Sequence, residues 1–219
     1  MTRAILFDLD GTLADTAPDL SGALNRMRER RGLAPLATEA LRPHASSGAR
    51  GLIGAGFDIA PGHPDYESLR EEFLDDYEAH LMRESTLFDG VLELLDALES
   101  RGLAWGIVTN KIERFTIPLV GLLGLHARAG CVVSGDTTPH AKPHPAPLLE
   151  AARRLAMAPE RCLYVGDDER DVQAARGAGM GAIVAGYGYL GSGTPPRDWG
   201  ADHIIDSPAD LLGLLAGGS

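Results

Sequence analysis

The sequence predicts an α/β fold, a parallel sheet with helices on both faces and an all-helical segment inserted after the first strand. Three observations lead there. The chain opens with a short, unbroken apolar run, Ala4 to Phe7, of the kind buried on both faces of a parallel sheet. Residues 16 to 84 then carry apolar side chains at helical spacing alone. From Phe88 onward, short apolar runs alternate with helical stretches, the pattern of strand–helix–strand crossovers.

The first run ends in Asp8-Leu9-Asp10-Gly11. Two carboxylates two residues apart point to the same side if the strand persists, and Gly11 lets the backbone turn sharply behind them. In open α/β sheets the C-terminal strand ends face the ligand crevice, so two acids there can share one substrate. The bland alternative is an Asp-Gly turn with surface acids.

After Asp15, Thr16 with Asp19 reads as a capping box, and Leu20, Ala23, Leu24 and Met27 continue a helix that Gly32 can stop. A second helical stretch is expected within Thr38 to Phe57, broken around Pro43 and the small residues SSGARG at 46–51. A third runs from about Asp65 to Met82, with Leu69, Phe73, Tyr77 and Leu81 at steps of four. Helices follow over Val91–Ser100, within 112–124, over Pro145–Met157 and over Asp171–Ala178, the second with its start blurred by Pro118. Strands are expected at Ala104–Val108, Cys131–Ser134, Leu163–Val165, Ala182–Ala185 and, at the edge, Ile204-Ile205. Ser207-Pro208 caps a short terminal helix, and the Gly- and Pro-rich loop 186–201 takes no regular structure.

Composition narrows the function. Apolar residues make up 44%, ordinary for a folded globular protein. No long apolar segment and no leader pattern is legible, so the sequence reads as a soluble cytoplasmic protein with no membrane partner. A formal net charge of −11 argues against a nucleic-acid surface. An acidic enzyme that acts on an anion must supply positive charge locally, from a metal ion, a lysine or helix N-termini. Cys131 and Cys162 each begin an apolar run and read as buried, reduced thiols.

Four features gather at strand C-termini or the loops beside them: Asp8 with Asp10, Thr109 with Asn110, Lys142 in HAKPHP, and Asp167 to Asp171 in VGDDERD. At this point the chain resembles the haloacid dehalogenase superfamily. FDLDGT, VTN, AKP and GDDERD match its four motifs in order, and the helical insert resembles the family's cap domain of the first type. The resemblance implies a Rossmann-like core of residues 1–15 and 85–219, a helical cap of residues 16–84, and a Mg²⁺-dependent phosphatase working through an aspartyl phosphate.

The chemistry of the residues agrees. Asp8 is placed to attack phosphorus and split hydrolysis into two displacements. Asp8, Asp167 and Asp171 are hard oxygen ligands for Mg²⁺, without which a site of three carboxylates would repel a phosphate. By resemblance the Asp10 backbone carbonyl joins them. The Asp10 side chain protonates the leaving alkoxide and then deprotonates the attacking water. Thr109 and nearby N–H groups hold phosphoryl oxygens, with Asn110 in support, although this pair could instead cap a helix. Lys142 adds the positive charge. Asp168 and Glu169 read as surface or supporting acids, His140 and His144 as loop polarity in preference to a metal pair, and Tyr187, Tyr189 and Trp199 as residues of the site's mouth or of an ordinary packed loop.

An acid at position 10 favours a phosphatase over the family's dehalogenases, because halide needs no proton. The absence of lysine from residues 16–84 excludes a phosphonate hydrolase with a Schiff-base lysine in its cap. A sugar-phosphate mutase needs only a cap that shields the phosphoenzyme from water. Within the family the chain resembles the phosphoglycolate phosphatase group. SSGARGLI, WGIVTNK and YGYL followed by DWGADHIID resemble a branch acting on N-acetylmuramic acid 6-phosphate. A silent phosphate-binding module is the alternative of a different class; it would have lost an acid or the lysine, and none is lost. Ser47, Gly48 and Arg50 are the candidate substrate-choosing residues, small enough for close backbone approach and carrying one guanidinium fork. The oligomeric state, monomer or dimer, is not legible.

Overall fold

The run AILF forms β1 (Ala4–Phe7), fully buried and central in the sheet. A computed structural model describes residues 2–191 and 193–217. Among them, β1 lies between β4 (Ala104–Val108) and β6 (Cys162–Gly166), with β5 (Val132–Val133) outside β4 and β7 (Gly181–Ala185) and β8 (His203–Ile205) outside β6. Every pairing in this sheet is parallel. Alternation decides the two faces. Ile5 and Phe7 pack with Trp105, Ile107, Val165 and Ile183 under α5 (Val91–Ser100), α6 (Glu113–Leu122) and α9 (Asp210–Gly217). Ala4 and Leu6 pack with Val108, Tyr164 and Val184 under α7 (Ala146–Arg154) and α8 (Glu169–Ala178). Burying each large aliphatic side chain contributes about 1.5–3 kcal/mol, which is why an all-apolar strand settles here.

Residues 16–84 have a separate apolar cluster. It is built from α1 (Ala17–Arg30), α2 (Thr38–Ala45), α3 (Gly48–Phe57) and α4 (Tyr66–Ala79), around Leu24, Met27, Leu52, Ile53, Phe73 and Tyr77. Gly56 is required for this packing, since a Cβ there would lie 2.6 Å from Leu24 Cδ1. Pro43 sits inside α2 and does not break it; the break falls at Ser46-Ser47. The carbonyl that Pro43 leaves unpaired belongs to Glu39, which is exposed and can be hydrated, and Pro118 in α6 stands in the same relation to exposed Arg114.

Two crossings join the insert to the sheet. β2 (Ala14–Asp15) pairs antiparallel with β3 (Thr86–Leu87), a two-residue ladder absent from the sequence expectations. The expected capping box also does not form: the α1 N-cap, Thr16, makes no side-chain cap bond. Its hydroxyl donates instead to Asp10 Oδ1 at 2.5 Å. Asp19 is taken by the returning chain and accepts from Arg83 N, Glu84 N and Ser85 N at 3.0–3.1 Å, and from Ser85 Oγ at 2.5 Å. A buried carboxylate with four donors outcompetes the cap, and the first turn, itself buried, has its Thr16 and Ala17 N–H groups met by Tyr189 OH.

The expected elements otherwise form with ends shifted by a few residues. The loop 186–201, apart from Ser192, which lies outside the described residues, contains a single 3₁₀ turn at Pro196–Asp198. Cys131 and Cys162 are buried free thiols. No described helix is long and apolar enough to cross a membrane.

Candidate active site

The central strands deliver their next residues to one place. In register, Phe7 faces Ile107 on one side and Val165 on the other, so Asp8, Thr109 and Asp167 emerge from neighbouring strand ends. Asp8 N donates to Val165 O and Thr109 N to Val133 O, both at 2.9 Å, which extends the ladders by one residue and fixes both backbones. The strand itself stops at Phe7, so Asp10 is placed by the tight turn behind it. Gly11 N donates to Ala14 O at 2.9 Å, with Gly11 at φ +82°. A side chain is excluded at Gly11, because a Cβ would come within 2.2 Å of Asp167 Oδ2.

Lys142 is buried among acids. Its Nζ lies 3.0 Å from Asp8 Oδ1 and 2.7 Å from Asp171 Oδ1, and donates to Tyr164 OH at 2.7 Å and Val108 O at 3.1 Å. Asn110 fixes the loop that carries it: Asn110 Oδ1 accepts from Lys142 N at 2.8 Å and Nδ2 donates to Lys142 O at 2.9 Å. The Asn110 side chain is thus engaged at both ends with protein. It does not cap α6, whose N-cap position is Ile112 and whose first N–H, Glu113 N, donates to Asp136 Oδ1. Asp171 closes a capping box with Asp168 at the start of α8, so the helix N-terminus fixes its position.

Asp8, Asp167 and Asp171 offer carboxylate oxygens all within 4.8 Å of one another. Burial drives the Asp8 carboxyl up to about 7, with Lys142 opposing and Asp171 and Asp10 adding to it. Burial, then Asp8 and Asp171, hold Asp167 well above the usual carboxylate range. Burial alone would lower the Lys142 pKa; Asp171 and Asp8 outweigh it and hold the lysine above its ordinary value. Three close acids against one lysine leave excess negative charge in a poorly solvated place. A hard divalent cation fits that donor set and would relieve the repulsion.

A cavity of about 390 Å³ extends from these acids into the helical insert. Its floor includes Asp8, Asp10, Thr109 and Lys142, and its wall Leu20, Tyr66, Phe73, Tyr77 and Phe115. Ser47, Gly48 and Arg50 line it as expected, joined by Arg70. Arg50 is exposed, and Gly48 stands at φ +55° with open space where a Cβ would point. His140 and His144 are exposed, with ring centres 4.5 Å apart.

Several contacts at the site escaped the sequence reading, which placed Tyr189 only as a candidate for the mouth. Thr12 Oγ1 and Tyr189 N donate to Asp167 at 2.9 and 3.0 Å. Tyr189 OH accepts from Thr16 N at 2.7 Å and Ala17 N at 2.9 Å, so the irregular 186–201 loop braces both the acid cluster and the start of the insert. Arg170 grips Asp168 through Nε at 2.7 Å and Nη2 at 2.8 Å, and also donates to Ser46 O at 2.7 Å, joining α8 to the α2–α3 break. Lys111 places its Nζ 3.0 Å from Asp10 Oδ1. Only Lys111 had a local signal, a lone lysine directly after Thr109-Asn110; the others depend on long-range folding.

The haloacid dehalogenase-like hydrolase family profile matches residues 5–185. The chain belongs to this family. Among its relatives, an N-acetylmuramic acid 6-phosphate phosphatase of Pseudomonas aeruginosa is 43% identical, over 97% of this chain and 94% of the relative. A phosphoglycolate phosphatase of Xanthomonas campestris pv. campestris is 45% identical, over 95% and 94%. A predicted phosphoglycolate phosphatase from Haemophilus somnus 129PT, known from a crystal structure, superposes with a TM-score of 0.86 at 28% identity, covering 98% of each chain. A family member with this parallel sheet and this end-of-strand acid cluster carries the fold expected from the four motifs.

Proposed function

We infer that the protein is a Mg²⁺-dependent phosphomonoester hydrolase working through an aspartyl phosphate on Asp8, with a small leaving group of the 2-phosphoglycolate type. The observation that carries this reading is the contact set of Asp8. Lys142 Nζ and Leu9 N, at 3.0 and 2.7 Å, both address Oδ1. Oδ2 has no protein donor among the described residues and is left for phosphorus. The named phosphatases among the relatives support the reaction class, and residues 16–84 are proposed to act as a cap over residues 1–15 and 85–219.

The chain's own groups divide the work. Asp8, Asp167, Asp171 and the Asp10 carbonyl would hold Mg²⁺, with Thr12 and Tyr189 N fixing Asp167. The ion would neutralise phosphoryl oxygens and lower the charge barrier to carboxylate attack. Thr109 Oγ1 accepts from Lys111 N at 3.2 Å, which leaves its own O–H free to donate to a phosphoryl oxygen. Lys142 supplies charge and holds the Asp8 carboxylate in one orientation. Asp10 is the acid and base for the leaving group and the water. Asn110 serves by fixing Lys142.

Chelation is the simplest test. EDTA is expected to abolish hydrolysis of 2-phosphoglycolate, Mg²⁺ to restore it, and Ca²⁺, larger and more highly coordinated, to restore it poorly. Full activity in chelator would remove Asp167 and Asp171 from their role.

One observation favours a second substrate. A 390 Å³ cavity with an aromatic wall and two arginines has room for a sugar bearing a carboxylate. N-acetylmuramic acid 6-phosphate is such an ester. If that carboxylate meets Arg50, Arg50→Ala should lower kcat/KM for it by roughly ten- to a hundredfold, as expected for loss of a charged hydrogen bond, and barely alter p-nitrophenyl phosphate hydrolysis. Equal loss on both would place Arg50 on phosphate or on cap folding.

A further inference from the structure

Beside Asp10 the cavity wall holds two polar groups whose hydrogen-bonding capacity the protein fills only in part. Lys111 is anchored through its backbone: its N–H donates to Thr109 Oγ1, and its carbonyl accepts from Gly135 N at 2.8 Å and Thr116 Oγ1 at 2.9 Å. Its side chain is 9% exposed, and its ammonium carries three donors. Asp10 is its ion-pair partner; its other neighbour is Tyr77, whose ring centre lies 4.8 Å from Nζ and whose hydroxyl interacts with the ammonium. The Tyr77 hydroxyl meets the lysine's charge and shares at most a weak hydrogen bond with its ammonium. That hydroxyl is buried, on a residue 1% exposed, and has no partner of full hydrogen-bond geometry. An ammonium with three donors and one ion-pair partner, beside a buried hydroxyl with no well-formed bond, leaves hydrogen-bonding capacity that a ligand can fill.

Both residues line the cavity that contains Asp8 and Asp10, and they come from different parts of the fold, Lys111 from the turn after β4 and Tyr77 from α4. We propose that Lys111 Nζ and Tyr77 OH form a binding site for an anionic oxygen of the leaving group, a carboxylate on the carbon that bears the ester oxygen. The position sets the class. Asp10 must reach the ester oxygen to protonate it, and Lys111 is in contact with Asp10, so an anion on Lys111 lies next to the ester oxygen. A 2-phospho-carboxylate meets that requirement. An anion across a sugar ring from the phosphate does not, and would meet the insert arginines instead. The charge on Lys111 then distinguishes a 2-phospho-carboxylate from a simple alkyl phosphate, and Tyr77 gives the insert a direct part in that choice.

This proposal rests on the phosphatase reading, and three substrates separate the two. Ethyl phosphate matches 2-phosphoglycolate at the ester carbon and lacks the carboxylate; p-nitrophenyl phosphate reports phosphatase activity alone. The wild type should prefer 2-phosphoglycolate to ethyl phosphate in kcat/KM. Lys111→Met should reduce that preference by roughly ten- to a hundredfold, whatever it does to both substrates through Asp10. Lys111→Arg should restore part of it, and Tyr77→Phe, which keeps the ring and its packing, should reduce it about three- to tenfold, mainly through KM. An unchanged preference in folded Lys111→Met and Tyr77→Phe would overturn the proposal, because Lys111 would then serve Asp10 alone. A wild type active on p-nitrophenyl phosphate with no preference for 2-phosphoglycolate would also overturn it while leaving the phosphatase reading standing. Inactivity on all three with Mg²⁺ would overturn both.

Discussion

Asp8→Asn is expected to give a folded protein whose phosphatase turnover falls by ~10⁴-fold or more, to background. The substitution is nearly isosteric and keeps an oxygen for Lys142 and Leu9 N at position Oδ1. It removes the carboxylate that attacks phosphorus, and a neutral amide cannot take its place. It also removes one of three acids from a crowded cluster, so thermal stability in the absence of metal should hold or rise. Steady-state assays with Mg²⁺, alongside a melting curve, check both halves. Substantial turnover in this variant would sink the assignment of Asp8.

Lys142→Met should cost both stability and activity. The ammonium stands between Asp8 and Asp171 with a side chain 2% exposed, and its removal leaves their charges without a cation in a buried site. Deleting one partner of such a cluster costs about 3–5 kcal/mol, to be read as a lower urea midpoint in metal-free protein. Mg²⁺ should return part of that loss by mass action, as binding to the folded state alone requires. Turnover should not return with it, because the orienting contact on Asp8 Oδ1 stays lost. A variant as stable as wild type without metal would mean that water compensates the acids and Lys142 is dispensable to the fold.

The core of this account was legible wherever chemistry is local. A four-residue apolar run ending in Asp-Leu-Asp-Gly specifies a buried strand and a turn, and the order of the four motifs specifies how such strand ends come together. Helix α5 kept both expected ends, Val91 and Ser100, because it begins after Gly90 and repeats its apolar face without a breaker. Most of what failed has one cause, competition from groups that the fold, not the local pattern, brings near. Thr16 and Asp19 have the spacing of a capping box, but Asp10, brought back by the tight turn at Gly11, and residues 83–85, far along the chain, offer them better partners. The β2–β3 ladder is two residues long and joins segments some seventy residues apart, too short for any periodicity. Tyr189 sits in a Gly- and Pro-rich stretch with no period, yet its backbone reaches Asp167 and its hydroxyl the start of α1. Pro43 misled in the other direction, since α2 runs through it and the break falls at Ser46-Ser47.

The central claim is a covalent phosphoryl group on Asp8, and acid quenching addresses it directly. Enzyme mixed with Mg²⁺ and substrate for less than one turnover, quenched in acid and digested, should yield an acid-stable, base-labile phosphorylated peptide. That peptide should contain Asp8, and Asp8→Asn should yield none. Turnover with no phosphopeptide at any quench time, or a phosphoryl group on another residue, would contradict the account.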